Sequence, residues 1–587
     1  MIEEMPGAEL VAEAISKHSG LAKEEILSLL ESPKDRNLGD IALPCFQIAK
    51  YSKKNPNIIA AELAERISKD KSISQIAEFA RAVGPYLNIL LKTEFIAAEV
   101  VKRILSDQKI SKQRSEKFMV EYSQPNTHKA FHVGHLRNVA LGDSMVRILR
   151  ERGFEVIAAN YIGDVGAHVA KSLWCILNYH KNEIDSIPEE ERANFLGRVY
   201  VEATRKIEEA EEKGDTSLKE EVAEIGRRLE AKDPELLQLW IKTREWSLNE
   251  FKRIYEELGV KFDVFFYESE VEERGKWIVH DLVRKGIAQI SDGAVIMDLK
   301  EYGLDVFLLL RRDGTALYST KDLALAVEKF ERFKIDRSIY VVGSEQKMYF
   351  EQLFKTLELM GFAQAKKCHH LAYGLVMLEE GKMSSRVGNV VAYRDFAERV
   401  MQRAMEEVSK RHPEWDPEFK RETARKISIG AMKFGMLNQD SNKPIIFNIE
   451  KSIDFEGDTC AYVQYAYTRA SSILRKNEDE NKEHVEIGPA DCLADFSLLK
   501  EQSEKLLCRK LLEYESVKEK AASEYKPFLI PKYMLELAKA FNTFYNECPI
   551  VKADKEVRRA RLLLLESVRR VIREGLWLCG AEVLESM

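Results

Sequence analysis

The stretch from Phe118 to His135 constrains the fold more than any other part of the chain. The β-favouring run Phe118–Tyr122 ends at Ser123, and Pro125 forbids the strand to continue. Leu136, Val139, Ala140 and Met145 then recur at helical spacing, which predicts a helix from about Phe131. A strand, a short loop and a helix in this order bring the helix N-terminus to the edge of a sheet, where free N–H groups and positive potential favour anions. His132 and His135 stand i,i+3 on one face of the first turn. Gly134, between them, lets a flat ring approach the backbone closely.

Strands and helices alternate from this point to about Val391, which favours a parallel, Rossmann-like sheet. Phe262–Phe266 and the apolar run His370–Leu378 read as later strands. A charged helical insertion interrupts the alternation at about 182–253, its charges reading as a solvated face. Before it, residues 1–112 mix helical spacing with strands such as Tyr86–Leu91, giving an α+β domain that ends in a polar linker, Ser106–Lys117. After it, residues 396–587 read as helix, broken at Lys410–Glu414 and Lys476–Lys482. The expected architecture is an α/β domain over 113–395 between an α+β domain and an all-α domain.

At 587 residues, the chain has length enough for about four domains. Its net charge of −7 excludes nucleic-acid binding by average basicity, though not by local clusters. The absence of a long apolar run and the acidic start Met1–Pro6 argue against a membrane span or secretory signal, so an intracellular, cytoplasmic protein is expected. The eight cysteines form no Cys-x-x-Cys pair, and Cys368, His369 and His370 are neighbours on a predicted strand, facing alternate sides. No resident metal site is expected.

His132-Val133-Gly134-His135 resembles the HIGH motif of class I aminoacyl-tRNA synthetases. Gly381 to Asn389, containing Lys382, Met383, Ser384, Ser385 and Arg386, is similar to the KMSKS loop that completes that signature. The resemblance implies that His132, Gly134, His135, Gly343, Lys382, Met383 and Ser384 hold ATP. It also implies that Lys129, His132, His135, Lys382 and Arg386, with Mg²⁺, offset charge developing on the α-phosphate. Ser385 departs from the pattern, which has a second lysine there; Lys129 is a candidate for the missing cation.

Glu121–Asn126, Arg312–Asp322 and Tyr340–Gln346 are similar to the arginyl branch of that family, as are Gly39–Pro44, Gly84–Asn88 and Phe455–Arg469. This implies an arginine–tRNA ligase that uses ATP, L-arginine and tRNA(Arg), works as a monomer, and forms the adenylate only with tRNA bound. By the same correspondence, Glu121, Tyr318 and Asp322 hold the guanidinium, while Asn126 and Gln346 hold the amino-acid end. The chemistry agrees, since a buried guanidinium needs carboxylates and a stacking or hydrogen-bonding partner. The N-terminal domain is expected to meet the tRNA D-loop through Tyr86 and Asn88, and the helical domain the anticodon through Tyr465, Arg469 and Met587. Arg558, Arg559, Arg561, Arg569, Arg570 and Arg573 form a further basic cluster. A class I synthetase for another amino acid, or a non-catalytic RNA-binding protein on the same fold, remain open at this point.

Overall fold

The computed structural model describes residues 5–33, 35–106, 113–379, 391–481 and 494–586. In the first part, β1 (Ile41–Pro44), β2 (Ala77–Val83) and β3 (Tyr86–Leu91) form an antiparallel sheet in the order β1-β3-β2, backed by helices that include Pro56–Ser68. Pro56 suits that helix's first turn, where an amide hydrogen would go unused, and the Asn55 side chain caps the turn.

The central sheet is parallel throughout. Its strands are β4 (Lys117–Glu121), β5 (Glu155–Ile162), β6 (Val264–Tyr267), β10 (Arg337–Gly343) and β11 (Cys368–Tyr373), in the order β11-β10-β4-β5-β6. The chain leaves β4 towards β5 and returns on the other side at β10. The switch point therefore lies between β4 and β10, where open α/β sheets bind ligands beyond their strand C-termini. Between β6 and β10 stands a small antiparallel sheet of β7 (Gln289–Ser291), β8 (Ala294–Asp298) and β9 (Val306–Leu310).

The run His370–Leu378 is not one strand. It breaks at Gly374-Leu375, and β12 (Val376–Leu378) leaves the sheet to pair with β13 (Ile445–Phe447). The break has a cause: buried Arg137 donates to the carbonyls of Gly374 (2.6 Å) and Leu375 (3.3 Å) as well as Ser441 and Lys443. Cys368, His369 and His370 serve packing; His370 stacks on Phe350 and His369 lies against Tyr525.

The insertion contains helices Arg192–Glu212, Ser217–Glu230 and Pro234–Glu257, which close a small core of their own with the helix Ala167–Cys175, built around Trp174, Phe195, Val199 and Trp246. The C-terminal part is helical apart from β13, and the predicted break at Lys476 is absent, since helix Cys460–Asn481 runs through it. Lys482 lies outside the described residues.

The helix Val133–Glu151 joins the two larger parts. Asp143 takes an ion pair from Lys433 (2.8 Å), both buried, and Lys433 also donates to Leu258 O. Beyond its C-terminus, buried Arg152 binds Glu515 and Glu519 at 2.7 and 3.0 Å. Removing one partner of a buried pair strands the other charge. Lys433→Met is therefore expected to cost about 3–5 kcal/mol of stability, read as a lowered thermal midpoint of the full chain.

Candidate active site

A cleft of about 1330 Å³ opens over the C-terminal ends of β4, β5 and β10. It brings together Glu121, Asn126, His132, Gly134, His135, Tyr318, Asp322, Gly343 and Gln346, nine of the residues singled out from the sequence.

The loop after β4 is held against its own preference. Ser123, Gln124 and His128 all have positive φ (76°, 48° and 61°), a region non-glycine residues seldom occupy. Five side chains hold it there. Asn138 accepts from Ser123 N (2.6 Å) and Asn160 from Gln124 N (3.1 Å), while the Tyr255 hydroxyl bonds both the Ser123 hydroxyl and Asn160. Ser247 accepts from His128 N and Thr243 bonds its ring, so the insertion helix Pro234–Glu257 grips the loop directly. Asp164, fully buried, pins the same helix through Arg244 (2.8 Å) and accepts from Ser269 at the start of the next helix. The residues Gly163–Gly166 just after β5 thus tie the insertion to the sheet.

His132 caps the helix Val133–Glu151. Its Nδ1 accepts from the amides of Gly134 (3.1 Å) and His135 (3.4 Å), while His135 Nδ1 accepts from His132 N (3.2 Å). The rings stack with centroids 3.7 Å apart. Because an amide can only donate, each neutral ring carries its proton on Nε2. Burial, with nearby Lys129, pushes His132 down to about 4 and His135 well below its ordinary value. Near pH 7 both rings are therefore neutral, and what they can offer a developing phosphate charge is their Nε2–H donors. Lys129 is not in the cleft wall but stands beside the pair, its ammonium 4.8 Å from the Tyr200 ring of the insertion.

Lys382, Met383, Ser384 and Arg386 lie outside the described residues. Both flanks of that stretch lie on the cleft wall. Leu378 and Val391 line it, and Val391 O accepts from Val133 N next to His132 (3.1 Å).

The amino-acid half is more heavily charged than the sequence indicated. Glu121 is buried and ion-paired with Lys329, which also lies 3.9 Å from the Tyr340 ring. Glu268, not foreseen, faces the same cavity and pairs with Lys321 at 2.9 Å. Asp322 accepts from the Tyr349 hydroxyl (2.5 Å), and among the described residues no cation pairs with it. Burial, reinforced by Glu121 and Glu268, pushes its carboxyl up to about 7. Tyr318 stands exposed at the lip, and Gln346 at the opposite rim. Glu268 had no signal in the sequence, because its place at the first turn after β6 looks like an ordinary helix-start acid.

The family model "tRNA synthetases class I (R), catalytic domain" matches residues 99–449. "Arginyl tRNA synthetase N terminal domain" matches 8–91, and "DALR anticodon binding domain" matches 463–587. An arginine–tRNA ligase of Bdellovibrio bacteriovorus is 37% identical over 96% of this chain and 95% of its own length. One of Clostridium perfringens is 36% identical over 98% and 99%. The solved arginyl-tRNA synthetase of Thermus thermophilus superposes with a TM-score of 0.79 at 29% identity, covering 99% of this chain and 100% of that one.

The chain belongs to the arginyl-tRNA synthetase family.

In this arginyl-tRNA synthetase fold the helical domain presents a platform. The Arg469 guanidinium lies between the rings of Tyr465 and Tyr545, 4.6 Å from each, and donates to Asn542 (2.7 Å). Tyr545 and Asn542 had no sequence signal, because they reach Arg469 from a different helix, Leu529–Glu547. Met587 lies outside the described residues. The cluster on the last helix is not an open basic face. Arg561 binds buried Glu504, Arg569 and Arg573 donate to Tyr467, and Arg570 donates to Leu105 O, so these arginines tie the last helix to its neighbours, while Arg569 and Arg570 also pair with Glu566 of their own helix. In the N-terminal domain Asn88 is buried and donates to Tyr86 O, while Tyr86 packs edge-on against exposed Phe46.

Gly163 tests the architecture of the amino-acid end. A Cβ there would fall 2.2 Å from Asn126 Oδ1. Gly163→Ala should displace Asn126 and raise the arginine KM by about tenfold, with the ATP KM changed by less than about twofold, in steady-state charging assays.

Proposed function

We propose that the chain joins L-arginine to tRNA(Arg), through an arginyl-adenylate made from ATP and then transfer to the tRNA's terminal adenosine. The observation carrying this reading is the slot in which buried Glu121 and Glu268 have lysine partners and Asp322 has none, so that one negative charge awaits a cation. A guanidinium is the cation that stays charged throughout the physiological range and offers a fork of donors to such acceptors.

ATP lies across the His132 helix N-terminus. The Nε2–H groups of His132 and His135 donate to its phosphates, and the β10 end at Gly343 borders the base. Asn126 and Gln346 orient the amino-acid end so that the carboxylate attacks the α-phosphate and pyrophosphate leaves. Lys129, Lys382 and Arg386 supply positive charge. Mg²⁺ enters on the phosphates as part of the substrate; the described His, Cys, Asp and Glu side chains that cluster at metal-ligand spacing, Cys175, His180 and Glu202, belong to the insertion. Bases of the tRNA stack on Tyr465, Arg469 and Tyr545. No described helix is long and apolar enough to cross a membrane, and a cytoplasmic monomer is the proposed working form.

Labelled arginine should be charged onto total tRNA and labelled lysine should not; charging of another amino acid in its place would defeat the assignment. Pyrophosphate exchange should need added tRNA. Asp322→Asn should raise the arginine KM by at least about a hundredfold with little change for ATP. Arginine binds the ionised Asp322 carboxyl, which in the free slot titrates at about 7. Below that pH each binding event must displace a proton. The arginine KM should therefore climb about tenfold per unit as pH falls under about 7 and level off above it, in a pH series of initial rates.

A further inference from the structure

The two lysines that pair with the slot's carboxylates stand behind its wall, and the proposed reaction gives them no role in choosing the substrate. Lys329 is fully buried, ion-paired with Glu121 from β4, and faces the Tyr340 ring of β10, with Asp322 on its own helix and Cys368 on β11 nearby. Lys321, also buried, holds Glu268 at 2.9 Å and lies 3.8 Å from Glu272. Both come from the helix Tyr318–Phe333 that carries Tyr318 and Asp322, two turns apart in the case of Lys321 and Lys329. Of these carboxylates, Glu121 and Glu268 line the cavity and each faces an ammonium group, Glu272 shares Lys321 from outside the lining, and Asp322 lines the cavity with no cation pairing with it among the described residues. The Tyr161 hydroxyl, buried in the same wall, has no hydrogen-bond partner among the described residues, so a donor or acceptor on the incoming group is also awaited.

We propose that Lys329 and Lys321 are specificity-determining counter-ions, which leave Asp322 as the uncountered carboxylate beside Glu121 and Glu268, so that the slot takes a single guanidinium cation and rejects a neutral ureido isostere. The inference rests on arginine being the substrate, as proposed above. Without these lysines, three carboxylates crowded out of water would repel one another and take up protons. A protonated carboxyl is a donor. It would bond the ureido carbonyl of citrulline, the neutral analogue, as readily as it would tolerate a guanidinium. With the lysines in place, Glu121 and Glu268 each face a cation. The lysines act through those carboxylates and are positioning residues, not catalytic ones.

The test uses the full chain with tRNA and ATP, measuring arginine KM and citrulline inhibition from about pH 6 to 9. In Lys329→Met, binding arginine becomes coupled to a second proton. Its KM should keep falling, by about tenfold per unit, through the alkaline range where the wild-type value is flat. The margin by which arginine outcompetes citrulline should shrink at least about tenfold near neutrality. Lys329→Arg, which keeps the charge, should restore the wild-type profile. Glu121→Gln combined with Lys329→Met removes both charges together and should show the single wild-type titration at weaker affinity; it decides the matter if the single variant does not fold. A Lys329→Met KM raised equally at every pH, or a second titration persisting in the double variant, would overturn the proposal. Wild-type protein that charges no arginine at any pH would instead defeat the substrate reading on which it stands.

Discussion

The structure depends most on what converges on the helix Val133–Glu151, roughly 28 Å of rigid rod. Its first turn carries the two stacked histidines. Arg137 and Asn138, just after that turn, hold four carbonyls at the base of β12 and β13 and tie the ends of β4 and β10, respectively. Asp143 takes the buried Lys433 from the helical domain, and Arg152 beyond the last turn takes Glu515 and Glu519. Each contact uses a charge or amide that is costly to leave unsatisfied in the interior, so the helix has little freedom to shift. The histidines inherit that rigidity, and catalysis by positioning requires it.

Arg137 shows how the rod governs the second half of the nucleotide site. Its guanidinium is buried against carbonyls with no carboxylate beside it, an arrangement that burial pushes down to about 10. The Arg137 guanidinium, which also faces the Tyr373 ring, fixes the carbonyl dipoles it binds. That is why β11 stops at Tyr373 and β12 departs to pair with β13, bringing Leu378 to the cleft wall.

Much of this was legible in the sequence and some was not, for physical reasons. Local signals carried far. Proline placement, apolar periodicity and the paired histidines led to β4, the helix after it and the parallel sheet, because such features act within a few residues. What escaped notice were contacts made across the fold. The break at Gly374 is imposed by an arginine 237 residues away, and an unbroken apolar run gives no hint of it. Glu268, Lys321 and Lys329 join Glu121 and Asp322 only once β4, β6 and the helix Tyr318–Phe333 have assembled. The arginine-rich last helix misled for the converse reason: its guanidinium groups look like an RNA surface until Glu504 and Tyr467 arrive from elsewhere.

The two halves of the cleft differ in charge. The amino-acid half holds a carboxylate with no pairing cation among the described residues, the group that the proposed arginine would neutralise. The nucleotide half holds donors without formal charge, because burial keeps both histidines neutral. Neutral donors align a triphosphate but do not balance it. The remaining positive charge has to arrive from Lys129 beside the pair, from the stretch between Leu378 and Val391, and from the metal that travels with ATP. Lys129 is itself a cation beside the neutral histidines, so the cleft carries local positive charge near one end and an uncountered carboxylate at the other, an asymmetry suited to a polyanion and a cation side by side.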